Sequence, residues 1–279
     1  MFYAISAMMI WATTAVQIRL IKCDPFTLIF WSNAIAILPA IIILIYYDLK
    51  KAAAVFFEYK WILFFVGVMS VANNITFFYS IRMTTIANAL MTHYMTPVMV
   101  AVTAPFILKE RFTKITALSL IMSIIGLALI IDVTNLRFES ADFIGSVLGL
   151  ASAVSYAAVI LVGRNFKTSI NPLIYIIAQS SSALIFMSFL TNYKIWEFDK
   201  VSLILLATFA LFNIAGAAYL FYKSLTKITA SAVSIIGYIE PVGAIGISVF
   251  LFDEPLSFQK GIGGILILLS AAVVNIKNI

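Results

Sequence analysis

Residues 228–252 read ITASAVSIIGYIEPVGAIGISVFLF, an apolar stretch whose one ionisable side chain, Glu240, stands at its centre and is followed at once by Pro241. Twelve uncharged residues precede the carboxylate and twelve follow it. At about 1.5 Å per residue a helix of this length spans a hydrocarbon core of roughly 30 Å. Glu240 would then lie near mid-depth, where a charge is costly and an ionisable group is a functional candidate by default.

The stretch has an earlier echo. Asn88-Ala89-Leu90 leads to Pro97 and, thirteen residues on, to Glu110; Ser231-Ala232-Val233 leads to Pro241 and, again thirteen on, to Glu254. Thr96 stands where the later copy has Glu240, but the earlier copy carries His93, the chain's single histidine. The echo predicts a duplicated membrane unit with one ionisable group at mid-depth in each half.

Composition agrees with a membrane solvent. Of 279 residues 63% are hydrophobic and 11% charged, and mean hydropathy is +1.08; soluble domains are about 25% charged. The net charge of +6 comes from basic residues scattered singly between apolar runs. This pattern fits membrane-surface loops and not a nucleic-acid partner. Cys23 is alone, which excludes an internal disulfide and a cysteine metal site. No nucleotide-binding loop or metal constellation occurs, so no cofactor and no internal ATP hydrolysis are expected. The opening run from Met1 has no basic leader segment and reads as a first spanning helix rather than a cleavable signal.

Cutting the chain at every charge leaves ten runs: 1–18, 25–47, 61–81, 83–108, 115–131, 143–163, 168–193, 201–222, 228–252 and 261–276. Backbone in lipid must bond internally, and the runs lack barrel-like alternation, so each is expected to be a helix. With the N-terminus cytoplasmic, eleven Lys and Arg fall in cytoplasmic loops and the tail, against seven opposite. That bias places both termini inside. The hydrophilic interval Asp132–Asp142 separates five runs from five, giving units 1–135 and 136–279. An odd number of crossings inverts the second copy, so the expected fold is all-α, ten transmembrane helices in a 5+5 inverted repeat.

Here the sequence resembles the drug/metabolite transporter superfamily, specifically bacterial permeases with two EamA-type repeats. The resemblance rests on Ala89, Pro97-Val98 and Glu110-Arg111-Phe112-Thr113, matched by Ala232, Pro241-Val242 and Glu254-Pro255-Leu256-Ser257, and on Trp11. It departs at Ala12 and Lys109, where glycine is usual. The resemblance implies a multi-pass protein of the bacterial inner membrane that moves amino acids or related small metabolites. It also implies a central cavity lined by the first, third, fourth, sixth, eighth and ninth helices.

Polar stripes mark the faces that would line such a cavity. Asn73 and Asn74 lie with Ser70 and Phe77 at i, i+3, i+4, i+7 spacing; Asn88, Thr92 and Thr96 recur every fourth residue beside His93. Gln17 aligns with Thr13, Tyr156 with Ser152, Asn213 lies near Tyr219, and Tyr238 shares a face with Ser231 and Ser234. Trp11 and Tyr79 add aromatic lining. For single hydroxyls the competing reading is glue between helices, worth about 0.6 kcal/mol each. On a straight helix Glu240 points about 200° away from Tyr238, so one or the other faces the cavity. Glu240 reads either as a coupling group with His93 or as a neutral carboxyl bonded to a neighbouring helix. Pro97 and Pro241 each remove a helical bond and read as paired hinges or as tolerated kinks. Gly145 and Gly149 allow close helix contact, and Glu110 is expected to hold loop geometry.

The expected function is secondary transport, not enzymatic: a permease, monomer or homodimer, exporting a small organic metabolite by alternating access, with protons as a candidate coupling ion. An importer or exchanger of a host-derived metabolite is the alternative. A lipid-modifying membrane enzyme is the alternative of another class, and it would need reactive groups near the headgroups.

Overall fold

A computed structural model describes residues 1–14, 17, 20–84, 86–131, 140–166, 170–191, 198–252 and 257–275. Most of the divider Asp132–Asp142, Arg19, and Glu254-Pro255-Leu256 of the second signature lie outside the described residues, as does Lys277.

The described residues are helical, without strands. In order they form α1 (Phe2–Trp11), α2 (Pro25–Glu58), α3 (Lys60–Met83), α4 (Ile86–His93), α5 (Thr96–Ile107), α6 (Lys114–Ile131), α7 (Ser140–Asn165) and α8 (Pro172–Met187). Then come α9 (Lys200–Thr208), a π-helical stretch (Phe209–Ala217), α10 (Ala218–Leu225), α11 (Ala230–Ile236), α12 (Ile239–Phe252) and α13 (Phe258–Asn275). Six helical stretches are long and apolar enough to cross a membrane: 25–46, 60–83, 88–107, 143–165, 200–225 and 230–247. Four shorter apolar helices accompany them: Phe2–Trp11, Lys114–Ile130, Pro172–Met187 and Phe258–Val274.

The polar residues between apolar runs start helices. Asp24 accepts from the Phe26 and Thr27 amides, Asn171 from Leu173, Asp199 from Ser202 and Thr229 from Ala232. Each side chain satisfies an amide that has no intrahelical partner. Charges do not end helices with equal force. The run expected to stop at Tyr47 continues as α2 to Glu58, because no glycine or proline follows Pro39 within it.

Large apolar side chains point outward, among them Phe106 (83% exposed), Phe189 (86%) and Phe250 (87%). Such a surface suits lipid rather than water. Inside, small residues let backbones approach. Ser80 Oγ donates to Gly145 O at 2.7 Å, and a β-carbon at Gly145 or Gly149 would collide with Thr84 or Thr92. The expected close contact at this glycine pair is therefore present. Gly126 and Gly263 bring α6 and α13 together in the same way, beside a 2.5 Å hydrogen bond between Ser123 and Ser270.

Candidate functional site

The two runs that carry the paired signatures are each broken in the middle. In the first, Tyr94 and Met95 form a turn between α4 and α5; in the second, Gly237 and Tyr238 do so between α11 and α12. The cause is Pro97 and Pro241, which supply no amide to the carbonyls four residues back, those of His93 and Gly237. Neither carbonyl is left bare. Thr96 Oγ1 donates to His93 O at 2.8 Å, and the Glu240 amide donates to Gly237 O at 3.1 Å. The breaks also meet each other. Tyr238 Oη donates to Tyr94 O at 2.8 Å, and the two rings stack with centroids 5.8 Å apart.

Against these breaks lies an internal cavity of ≈ 20 Å³, room for about one water. His93, Tyr94, Thr96 and Pro97 line it from the first broken run, and Val233, Ser234, Gly237 and Glu240 from the second. Met8 of α1, Tyr156 and Ile160 of α7 and Phe221 of α10 close it. The rings form a continuous aromatic wall. His93 sits 4.2 Å from Phe77 and 5.9 Å from Tyr156, nearly parallel to it; Tyr156 stacks on Phe221 at 6.0 Å, and Phe221 meets Trp11 at 5.3 Å. His93 Nδ1 is 2.8 Å from Ser152 Oγ, which itself donates to Gly149 O. The histidine is thus held on α7, and no hydrogen bond or ion pair joins it to Glu240.

The cavity contains Glu240, while Tyr238 is fully buried beside it with its hydroxyl on Tyr94. The 200° that separates them on a straight helix does not apply, because Tyr238 belongs to the turn.

The other candidates are distributed. Trp11 Nε1 donates to Asn213 O at 3.0 Å; Asn213 Nδ2 donates to Gln17 Oε1 at 2.6 Å, and its Oδ1 accepts from Thr14 at 3.0 Å. Trp11, Gln17 and Asn213 therefore bind one another, outside the cavity lining. Asn213 stands within the π-helical stretch Phe209–Ala217, and its carbonyl accepts from Trp11 there. Asn73 Nδ2 lies 3.5 Å from Asn74 Oδ1, its own Oδ1 buried and without a partner among the described residues. Asn88 is buried within α4, and Tyr219 is half-buried against the apolar core. Tyr79 is 39% exposed, packs on Phe26 and borders a shallow cleft with Arg82. It does not meet Trp11.

Tyr94 was not among the sequence candidates. The signal was present: Tyr94 and Tyr238 both stand three residues before a Pro-Val pair, in Tyr-x-x-Pro-Val. Phe221 gave none, since an aromatic on an apolar helix is ordinary core. Among the described residues no group of His, Cys, Asp and Glu could hold a metal ion.

A sequence profile of the EamA-like transporter family matches the chain twice, over residues 1–132 and 143–276. No curated protein matches it. A solved structure described only as a crystal structure of a protein superposes with a TM-score of 0.83. That match covers 98% of this chain and 95% of the other at 17% identity, a likeness of fold alone.

Proposed function

The chain belongs to the EamA-like transporter family, and on that premise we propose that it is a secondary transporter that exports a small organic metabolite by alternating access. It is a multi-pass membrane protein. The six long and four shorter apolar helices are read as ten crossings in two inverted units, 1–135 and 136–279, within a bacterial inner membrane and with both termini cytoplasmic.

One observation carries the reading: two broken helices meet at a cavity that holds Glu240, the carboxylate at the middle of the 228–252 run, within an aromatic wall. Ligand pockets run to about 300–1,000 Å³, so a cavity of ≈ 20 Å³ belongs to a closed conformation. Loading requires the halves to part, and the breaks at Pro97 and Pro241 supply places to bend. Rings of Tyr94, Tyr156 and Phe221 suit the apolar body of an amino acid or a related compound, with Asn73 and Asn74 as polar contacts on the route. Glu240, with His93 across the cavity, is the coupling group. An ionised carboxylate with no cation beside it is disfavoured at this depth, so it holds either a proton or the substrate's positive end.

The test is flux in reconstituted vesicles with an imposed pH gradient, after a metabolite panel has been screened for thermal stabilisation. Glu240→Gln is expected to retain folding and ligand stabilisation but lose dependence on the gradient, and His93→Ala to shift the pH optimum. Wild-type flux indifferent to the gradient would make the protein a facilitator and Glu240 structural. Absence of any stabilising solute and any flux would remove the transport reading.

A further inference from the structure

We propose that Glu110 and Arg164 form a clasp that shuts one end of the cavity and must open in each transport cycle; the inference rests on the transport reading above. Arg164, in the last turn of α7, places Nε 2.8 Å from Glu110 Oε1 and donates from Nη1 to Leu225 O at 2.7 Å. The same carboxylate accepts the Ala230 amide, at 3.0 Å to Oε2 and 3.2 Å to Oε1. Leu225 ends α10 and Ala230 begins α11, so the clasp takes hold of both sides of the turn between them. The side chains are only 13% and 11% exposed, which removes most of the solvent screening that makes a surface pair weak.

The location gives this contact its role. Arg164 lies eight residues beyond Tyr156 on α7, Leu225 four beyond Phe221 on α10, and Ala230 four before Ser234 on α11. At about 1.5 Å per residue the clasp stands one to two turns, roughly 6–12 Å, from the cavity on each of the three elements. On these elements Ile160, Leu225 and Val233 are all essentially inaccessible. Glu110 is the only member from the first family-matched segment; Arg164, Leu225 and Ala230 belong to the second. Parting the two segments at this end therefore requires the carboxylate to leave two partners at once, the Arg164 guanidinium and the Ala230 amide.

The backbone before Glu110 is set for the contact. Lys109 has φ 56°, the only positive φ at a non-glycine residue among those described. That left-handed conformation is the one glycine adopts freely and other residues rarely. Glycine, usual at this place in the resembled pattern, would adopt it without strain. Here Lys109 takes that conformation immediately before Glu110, whose carboxylate meets Arg164.

Cysteine accessibility tests the clasp without a substrate. In a Cys23→Ser background, Ser234→Cys places one thiol in the cavity, to be labelled by a membrane-impermeant cationic methanethiosulfonate in sealed vesicles of each orientation. Glu110→Gln should raise the labelling rate at least tenfold from the clasp face and lower it from the opposite face. Ala230→Pro is the second variant. Thr229 is extended (φ −63°, ψ 155°), as a residue before proline must be, and proline is tolerated at a first helical position. It removes the amide that Glu110 accepts and sets a ring carbon against the carboxylate, and should give the same direction of change if Glu110→Gln does not fold. Unchanged labelling from both faces in a folded variant, with or without a lower melting temperature, would reduce the clasp to a structural tie. Labelling that responds in a protein that moves no solute would keep the clasp and sink the transport reading.

Discussion

Asn213 spends both ends of its amide on the first helical region: Oδ1 on Thr14 and, at 3.4 Å, Thr13, and Nδ2 on Gln17. Its carbonyl takes Trp11 as well. A side chain bonded at both ends and 1% exposed is held by its neighbours rather than displayed to a solute. Asn213→Ala leaves the Gln17 acceptor and the Thr14 hydroxyl without this partner in a half-buried setting, at about 1–3 kcal/mol. Melting in detergent should fall by several degrees while the affinity of the folded fraction for a stabilising solute stays put. Loss of affinity with unchanged melting would return Asn213 to the binding site. Asn73 is the opposite case, since its Oδ1 is buried without a partner among the described residues and leaves a polar atom for a solute or water to satisfy.

The broken helices α4–α5 and α11–α12 are the elements on which motion would depend. Their breaks are tied together by the bond from Tyr238 to Tyr94 O and by the ring stack above it. A bend at one proline therefore pulls on the other. Pro97→Ala and Pro241→Ala each restore an amide and straighten the run, which should change how fast the states interchange more than how tightly a solute is held. Stopped-flow flux and thermal-shift affinity on the same reconstituted variants separate these quantities. Uptake at the wild-type rate in both would identify the prolines as tolerated kinks.

Across the whole molecule, Glu110, Arg164, Leu225 and Ala230 gather at one end of the helices. The basic count had assigned the loops that contain them to one side. The same assignment predicts that a reporter fused after Lys51 reads cytoplasmic and one fused after Arg137 reads the opposite side. Two reports from one side would overturn the inverted five-plus-five arrangement. The test bears on the boundary near 135, because Arg137 and its neighbours lie outside the described residues.

The sequence by itself determined that the chain is helical and membrane-embedded, since 63% apolar content in runs cut by single charges leaves no other way to satisfy the backbone. It also gave the family, through two copies of a proline and glutamate at matched spacing. Pro97, Pro241 and Glu240 were readable because proline and a mid-run carboxylate are exceptions to an apolar rule. Which polar residues meet one another was decided only in the fold. Residues 11, 17 and 213 are far apart in the chain, and nothing in a helical period tells whether a stripe faces a partner helix or a cavity. The orientation of Tyr238 against Glu240 was likewise closed to periodicity, because the turn at Gly237-Tyr238 resets the angular phase that any reading along a straight helix must assume.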